Sequence, residues 1–503
     1  MLAQVSSQLA GSRRRRIWCV RLVRHLASVE RFRSVLGMIA IAALSQNERT
    51  LRYIIDSPFA TNGYNVWKPL FKLFASVRDE ESTVCGRVLE LLTQREPYNN
   101  QISPYWSPMI SNGLVPTLLH VLAESKNDEV LASAYMLLLN SSLECPRVKT
   151  ELLTMKNAFS AMLNHTRSTN EHLLTLIGRV LTSLSEHPPL IDAMVNQGLI
   201  ESFIALTDRE RSPQMICSYF DCLANVASHS VDYQKRLAHS QAFVTLLIHH
   251  YLEEFDPDLS LSVMHFIYQL VRHNEPIQNL LAQNGACEHI LGALSASSKD
   301  LQEAAIQVIQ SLSENNSHVQ YLMLRENALE QLLNLLEKTN LHSLQTATVC
   351  TLWILCENNC SRKRDVATRI GVKKLISFYA IKTDEHLFAI TDALGELAKR
   401  TASVKMNVHE EINRAQAIPH LIRLLKSDSE KLVLSVLRTL QLLACPPGFV
   451  SHRNNQETIV QNEGVIYIVA LMMRAFSELI QVEAAQTLAC IALGVCVCDS
   501  VVD

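Results

Sequence analysis

A polar stretch near the middle of the chain has an echo. Residues 355–360 read LCENNC, and 43 residues earlier 312–317 read LSENNS, with serine at both cysteine positions and the Glu-Asn-Asn unchanged. Half of a metal site, built on Cys356 and Cys360, has no reason for such an echo, whereas a loop between repeated structural units does. The period continues along the chain: SNGLVPTLLHVL (111–122), QGLIESFIAL (197–206), NGACEHILGAL (284–294), ENALEQLLNLL (326–336) and AQAIPHLIRLL (415–425) are versions of one segment. Its first apolar residue falls at Val115, Phe159, Ile200, Phe243, Cys287, Leu329, Val372, Ile418 and Ile466, in steps of 44, 41, 43, 44, 42, 43, 46 and 48. Steps of about 40–47 residues belong to stacked repeats of two or three helices.

One unit shows the physical reason. In AIPHLIRLLKSDSEKLVLSVLRTLQLLAC (417–445), Ile418, Leu421, Ile422 and Leu425 make one helical stripe. Ser427 and Glu430 match a capping box, and Val433, Val436, Leu437, Leu440 and Leu443 make a second stripe at the helical period. Pro446 and Pro447 end it. A unit this small cannot bury its stripes alone, so units must stack in an all-α array without a central domain. NGYNVWKPLFKLF (62–74) and ESTVCGRVLELLTQ (81–94) form an earlier, divergent unit, with Trp67 in the Val115 role. The chain divides into a basic leader or polar segment (1–30), divergent capping repeats (31–110), a repeat array (111–493) and a tail (494–503), about ten to eleven repeats in all.

These units resemble the armadillo repeat over at least 111–493. The likeness rests on a small or glycine residue followed by an aliphatic one and sometimes proline (NGLVP, QAIP), on a long third helix ending as in CLANVAS (222–228), and on a short polar loop. Within the family, the last units, from NRAQAIPHLIRLL through VEAAQTLACIALG (482–494), most resemble the armadillo part of ankyrin-and-armadillo-repeat proteins, although no ankyrin T-P-L-H unit occurs. The resemblance implies a right-handed α-solenoid that binds extended peptides along a concave groove, clamped by an asparagine ladder on the third helices. Here the ladder slot holds Asn140, Ser183, Asn225, Gln269, Ser311, Ile354, Glu396, Leu442 and Cys490. Only two are asparagine, and the tryptophans that nuclear-import receptors of the family place one turn earlier are replaced by Met136 and Asp221. Asn140, Ser183, Asn225, Gln269 and Ser311 are the candidate groove floor, and Ile354, Leu442 and Cys490 make the later groove more apolar. Asparagine and serine on such helices equally serve to satisfy helix backbone.

A second candidate lies beside CENNC. From 361 to 405 ten Lys or Arg face five acids, including Arg362, Lys363, Arg364, Lys373 and Lys374, a patch suited to steering an acidic peptide. Charge clusters of this kind also form plain solvated faces.

Composition argues against other classes. The formal charge of −3 gives no pull toward nucleic acid or anionic lipid. Glycine is scarce at 14 residues, neither GxGxxG nor GxxxxGK[ST] occurs, and HExxH, GxSxG and paired CxxC motifs are missing, so no enzyme, cofactor or metal site is expected. The apolar runs at 35–44 and 487–498 are shorter than the ~20 residues that span a bilayer. Thirteen cysteines scattered through apolar segments read as reduced thiols; Cys496 and Cys498 form a CxC pair in the tail. The tract RRRR (13–16) reads as a mitochondrial leader, a nuclear-import signal or the polar start of a helix. The expectation is a monomeric, non-catalytic scaffold in the cytoplasm or nucleus that binds a protein segment. A nuclear-transport-type adaptor and an organelle-associated structural subunit are the alternatives.

Overall fold

The computed structural model of the chain describes residues 67–76, 79–93, 103–155, 157–207, 212–252, 256–357, 359–380, 383–399, 408–446 and 451–493. The basic segment, the RRRR tract and the tail with Cys496 and Cys498 lie outside them. Among the described residues every regular element is helical and no strand occurs. The chain divides into two compact units, one ending at Leu270 and one beginning at Val271.

Long helices are the frame of each unit. In the first they are α1 (Asp79–Thr93), α2 (Asp128–Glu144), α3 (Glu171–Ser185), α4 (Pro213–His229) and α5 (Pro257–Val271). In the second they are α6 (Lys299–Ser313), α7 (His342–Leu355), α8 (Asp384–Ala398), α9 (Glu430–Ala444) and α10 (Glu478–Ala492). Within the first unit α1 packs on α2, α2 on α3 and α3 on α4; within the second each long helix packs on the next. The stripes read from 417–445 are the buried ones: Ile418, Leu421, Val436, Leu437, Leu440 and Leu443 are all fully buried. Removing one such side chain typically costs about 2–5 kcal/mol.

Local chemistry starts and stops these helices. Asn127, Asn170, Ser298 and Ser429 cap α2, α3, α6 and α9 by accepting from backbone N–H groups one or two residues into the helix. The cap of α9 is therefore Ser429 and not Ser427. Ser427 accepts from the Ser429 N–H and donates to Asp384, so it shapes the turn before the helix. The repeated Glu-Asn-Asn has the same explanation. Asn316 caps the helix Ser317–Arg325 and Asn359 caps Cys360–Ile370. Cys356 and Cys360 flank that cap, and burial pushes the Cys356 thiol up to about 11.

A left-handed backbone residue marks the period more sharply than any side chain. Positive φ recurs at Gly113, Asn157, Gly198, Gly285, Asn327, Gly371, Gln416 and Glu463, each just before the middle helix of its segment. Counting two residues on from most of these gives the predicted anchors, and Val115, Phe159, Ile200, Cys287 and Ile418 are buried while Leu329 is half-buried. Ile466 breaks the rule and is 64% exposed. The register from Glu463 makes Val465 the anchor, because the last step, 47 residues from Gln416 to Glu463, is one residue shorter than the apolar pattern alone suggests.

Packing long helices side by side also buries the carbonyls of their last turns, which have no intrahelical donor. Glutamines answer this. Gln234, Gln278, Gln320 and Gln456, each four residues after the cap of a first helix, are buried. Gln234 donates to the Gln269 carbonyl, Gln278 to those of Val271 and Ser311, Gln320 to that of Ser313, and Gln456 to that of Cys490. His409, nine residues before Ile418 as Gln278 is nine before Cys287, donates instead to the Ala398 carbonyl while its Nδ1 is buried without a partner.

Two expectations follow. Gln416 is exposed and left-handed, so Gln416→Gly removes strain and is expected to raise stability by roughly 0.5–1 kcal/mol in a denaturant melt. Burial first, and His452 second, hold the His409 pKa below its ordinary 6.5. A lowered folded-state value gives stability that is present above about pH 6.5 and lost as the pH falls below it. His409→Gln, which restores the residue of the equivalent positions, is expected to flatten the decline in melting temperature between neutral and mildly acid pH.

Candidate functional site

The predicted ladder residues all sit on long helices, where stacking leaves one narrow stripe of each helix partly open. In the first unit that stripe carries Met136 and Asn140 on α2, Arg179 and Thr182 on α3, Asp221 and Asn225 on α4, and His265 and Gln269 on α5, all half-buried or exposed. Their roles differ. Ser183 is buried and shares a 3.0 Å hydrogen bond with Ser142, and Asn225 donates to Ser185 over 2.9 Å, so both tie one long helix to its neighbour. The Asn140 side chain makes no hydrogen bond among the described residues, and the Gln269 side-chain carbonyl is buried without a donor. Burial pushes the Asp221 carboxyl up, opposed by a hydrogen bond from Ser262 and the charge of His265.

The second unit holds a cleft. About 350 Å³ opens between α6, α7, α8 and the start of α9, lined by Gln310, Cys350, Trp353, Ile354, Phe388 and Lys431 among others. Ile354, the predicted apolar slot, is in it, whereas Ser311 is buried nearby on α6. The Trp353 indole N–H donates to Asp392 over 2.9 Å. Lys363 reaches the same carboxylate at 3.0 Å with its ammonium 5.1 Å from the Trp353 ring, and the Lys431 ammonium stands 4.4 Å over Phe388. Such cation–ring contacts are worth about 0.5–2 kcal/mol, depending on desolvation. Glu314, Glu357 and Glu385 line the cleft, are exposed and have no ion-pair partner among the described residues. With two lysines against these carboxylates and Asp384, the cleft is acidic.

That changes the account of the basic cluster. Lys363 is held by Asp392, Arg364 lies 3.9 Å from Glu396, and Lys374 donates to the Leu336 carbonyl over 2.7 Å. Glu396, a ladder slot with a side chain only 4% exposed, also takes Lys399 at 2.6 Å. Arg362 and Lys373 alone of the five are exposed without an ion pair among the described residues. The cluster is largely a set of internal ties between Cys360–Ile370, the helix Val372–Ser377 and their neighbours.

Sequence reasoning missed Trp353, Phe388, Asp392 and Lys431. Trp353 adjoins the predicted Ile354, and an aromatic on the open stripe of a long helix was the available signal. It also missed the glutamine donors, although Gln234, Gln278 and Gln320 recur in steps of 44 and 42.

No family model matches the sequence, and no curated protein matches it. Solved structures do: 432 chains match, so the fold is widely used and does not by itself point to one activity. Among them is a crystal structure of an engineered protein with a TM-score of 0.67 and 19% identity, covering 85% of this chain and 99% of that one. At that identity the likeness carries the fold alone.

The internal ties and the free cations are separable by mutation. Lys363→Glu places a second carboxylate beside Asp392 and is expected to lower stability by roughly 3 kcal/mol, whereas Lys373→Glu should leave it within about 0.5 kcal/mol. Thermal melts of the two variants check this.

Proposed function

We propose that the chain is a non-catalytic scaffold, a right-handed armadillo-type α-solenoid of about ten to eleven repeats, which captures an extended or helical segment of a partner protein on the open stripe of its long helices. The observation that carries this reading is the cleft of the second unit. It combines an apolar floor of Trp353, Ile354 and Phe388 with unpaired carboxylates at Glu314, Glu357 and Glu385, a mixture suited to a segment with apolar and basic side chains. The basic cluster had pointed to an acidic partner, but its cations are mostly engaged with Asp392, Glu396 and the Leu336 carbonyl. The polar stripe of the first unit, with unpartnered Asn140 and Gln269, offers backbone-clamping amides of the kind an extended peptide uses. No helix among the described residues is long and apolar enough to cross a membrane. Buried thiols at Cys85, Cys222 and Cys350 suit a reducing compartment, the cytoplasm or nucleus.

A peptide library screened against the purified chain tests this. Retained peptides are expected to combine Lys or Arg with large apolar residues. Phe388→Ala together with Glu385→Lys should weaken them at least ~10-fold, while loss of the Lys431–Phe388 contact lowers stability by only about 0.5–2 kcal/mol and leaves the chain folded at the assay temperature. Retained peptides that are acidic, or that ignore both substitutions, would remove the cleft from consideration.

A further inference from the structure

Among the described residues, large exposed apolar side chains concentrate on the last two helices, with Val460 and Leu493 exposed nearby in sequence. Ile466, Val469 and Met473 follow one face of Gly464–Arg474, Phe476 stands in the turn, and Leu479 and Val482 continue on α10, against which the first helix packs. Elsewhere the exposed large apolar residues are scattered singly, as Leu143, Leu153, Val231 and Tyr321 are.

An unfinished stack accounts for only part of this. Val469 is 39% exposed, while its counterpart Ile422, six residues after Gln416 as Val469 is six after Glu463, is buried. Ile466 and Met473 are different. The third residue after the left-handed position is the exposed Glu201, Glu288 or Glu330 in other segments, and the tenth is the exposed Arg167, Glu337 or Lys426. Other described equivalents are Pro116, Ser160, Lys374 and Pro419 at the third position and Ala123 and Ser295 at the tenth, all exposed or half-buried, and here the two sites hold isoleucine at 64% and methionine at 71% exposure. Large apolar side chains stand here where three other segments place a glutamate at the third position and three place a charged residue at the tenth.

We propose that this face pairs with the same face of a second copy of the chain about a two-fold axis. Together the six side chains expose on the order of 800 Å², the share one partner contributes to a standard interface and more than the patch of a few hundred Å² usual on a monomer. Glu463, Arg474 and Glu478 beside it are exposed and have no partner among the described residues. They supply both signs of charge, which a self-complementary contact needs. One cation among two carboxylates gives little attraction to an anionic bilayer.

Sedimentation velocity on the 503-residue chain across the micromolar range is the test, against the monomer expected from the sequence. A concentration-dependent dimer is expected. Ile466→Glu with Met473→Lys, which restores the residue types of the equivalent sites, should weaken it at least ~10-fold at an unchanged thermal midpoint. A chain that stays monomeric overturns the proposal, and so does a dimer that survives both substitutions. Monomer binding to phosphatidylcholine vesicles, lost in the double variant, would assign the face to a membrane and overturn it equally.

Discussion

A helix that ends inside a protein leaves its last carbonyls without donors, and several of the described long helices end where a glutamine of another helix reaches their last-turn carbonyls. Apolar burial supplies most of the stabilisation, but it is non-directional and tolerates sliding. The buried glutamines do not. Gln278 spans from the Val271 carbonyl to the Ser311 carbonyl, so the first helix of its segment is fixed by two backbone acceptors at once. Asn316 then donates to Gln278 and caps its own helix, which makes the next segment depend on the same register. One unsatisfied buried carbonyl costs about 1–3 kcal/mol, enough to choose between neighbouring registers that bury similar apolar area.

The same slot explains the second unit's cleft. At Lys363, four residues after the Asn359 cap, the glutamine is replaced by a longer, charged side chain. An ammonium there needs a counter-charge and finds Asp392, which also holds the Trp353 indole. The tryptophan is thereby fixed at the wall of a cleft, and Lys363 is withdrawn from the surface it was expected to make basic. A cation in place of a neutral donor thus meets a carboxylate of α8 that also holds a cleft wall on α7, the helix just before its own.

How much of this the sequence discloses depends on the range of the interaction. Helix stripes such as Leu421, Val436 and Leu440 are legible because burial acts on every third or fourth residue of one segment. The caps are half legible: Ser427 matches the motif, but Ser429 has the geometry, since two serines one residue apart from Asp428 compete for one helix start. The ladder positions fall on long helices, but the ties they make are not legible, because Ser183 and Asn225 find partners about 40 residues away, at Ser142 and Ser185. The internal ties of the basic cluster are hidden for the same reason: the acids that pair with Lys363 and Arg364 lie on α8, a full helix further along the chain.

In a periodic structure each position meets nearly the same surroundings every forty-odd residues, so the surroundings select nearly the same residue each time. A departure therefore carries information about a change in surroundings, and two departures here differ in kind. Lys363 in the glutamine slot is matched from within by Asp392 and Trp353, and its neighbourhood has been rebuilt to accept it. Ile466 and Met473, in sites that elsewhere hold Glu330 and Lys426, remain mostly exposed, at 64% and 71%. Apolar groups in water are not selected by a charge, a cap or a carbonyl, only by a covering surface. An irregularity that the fold does not absorb is thus best explained by a surface outside it.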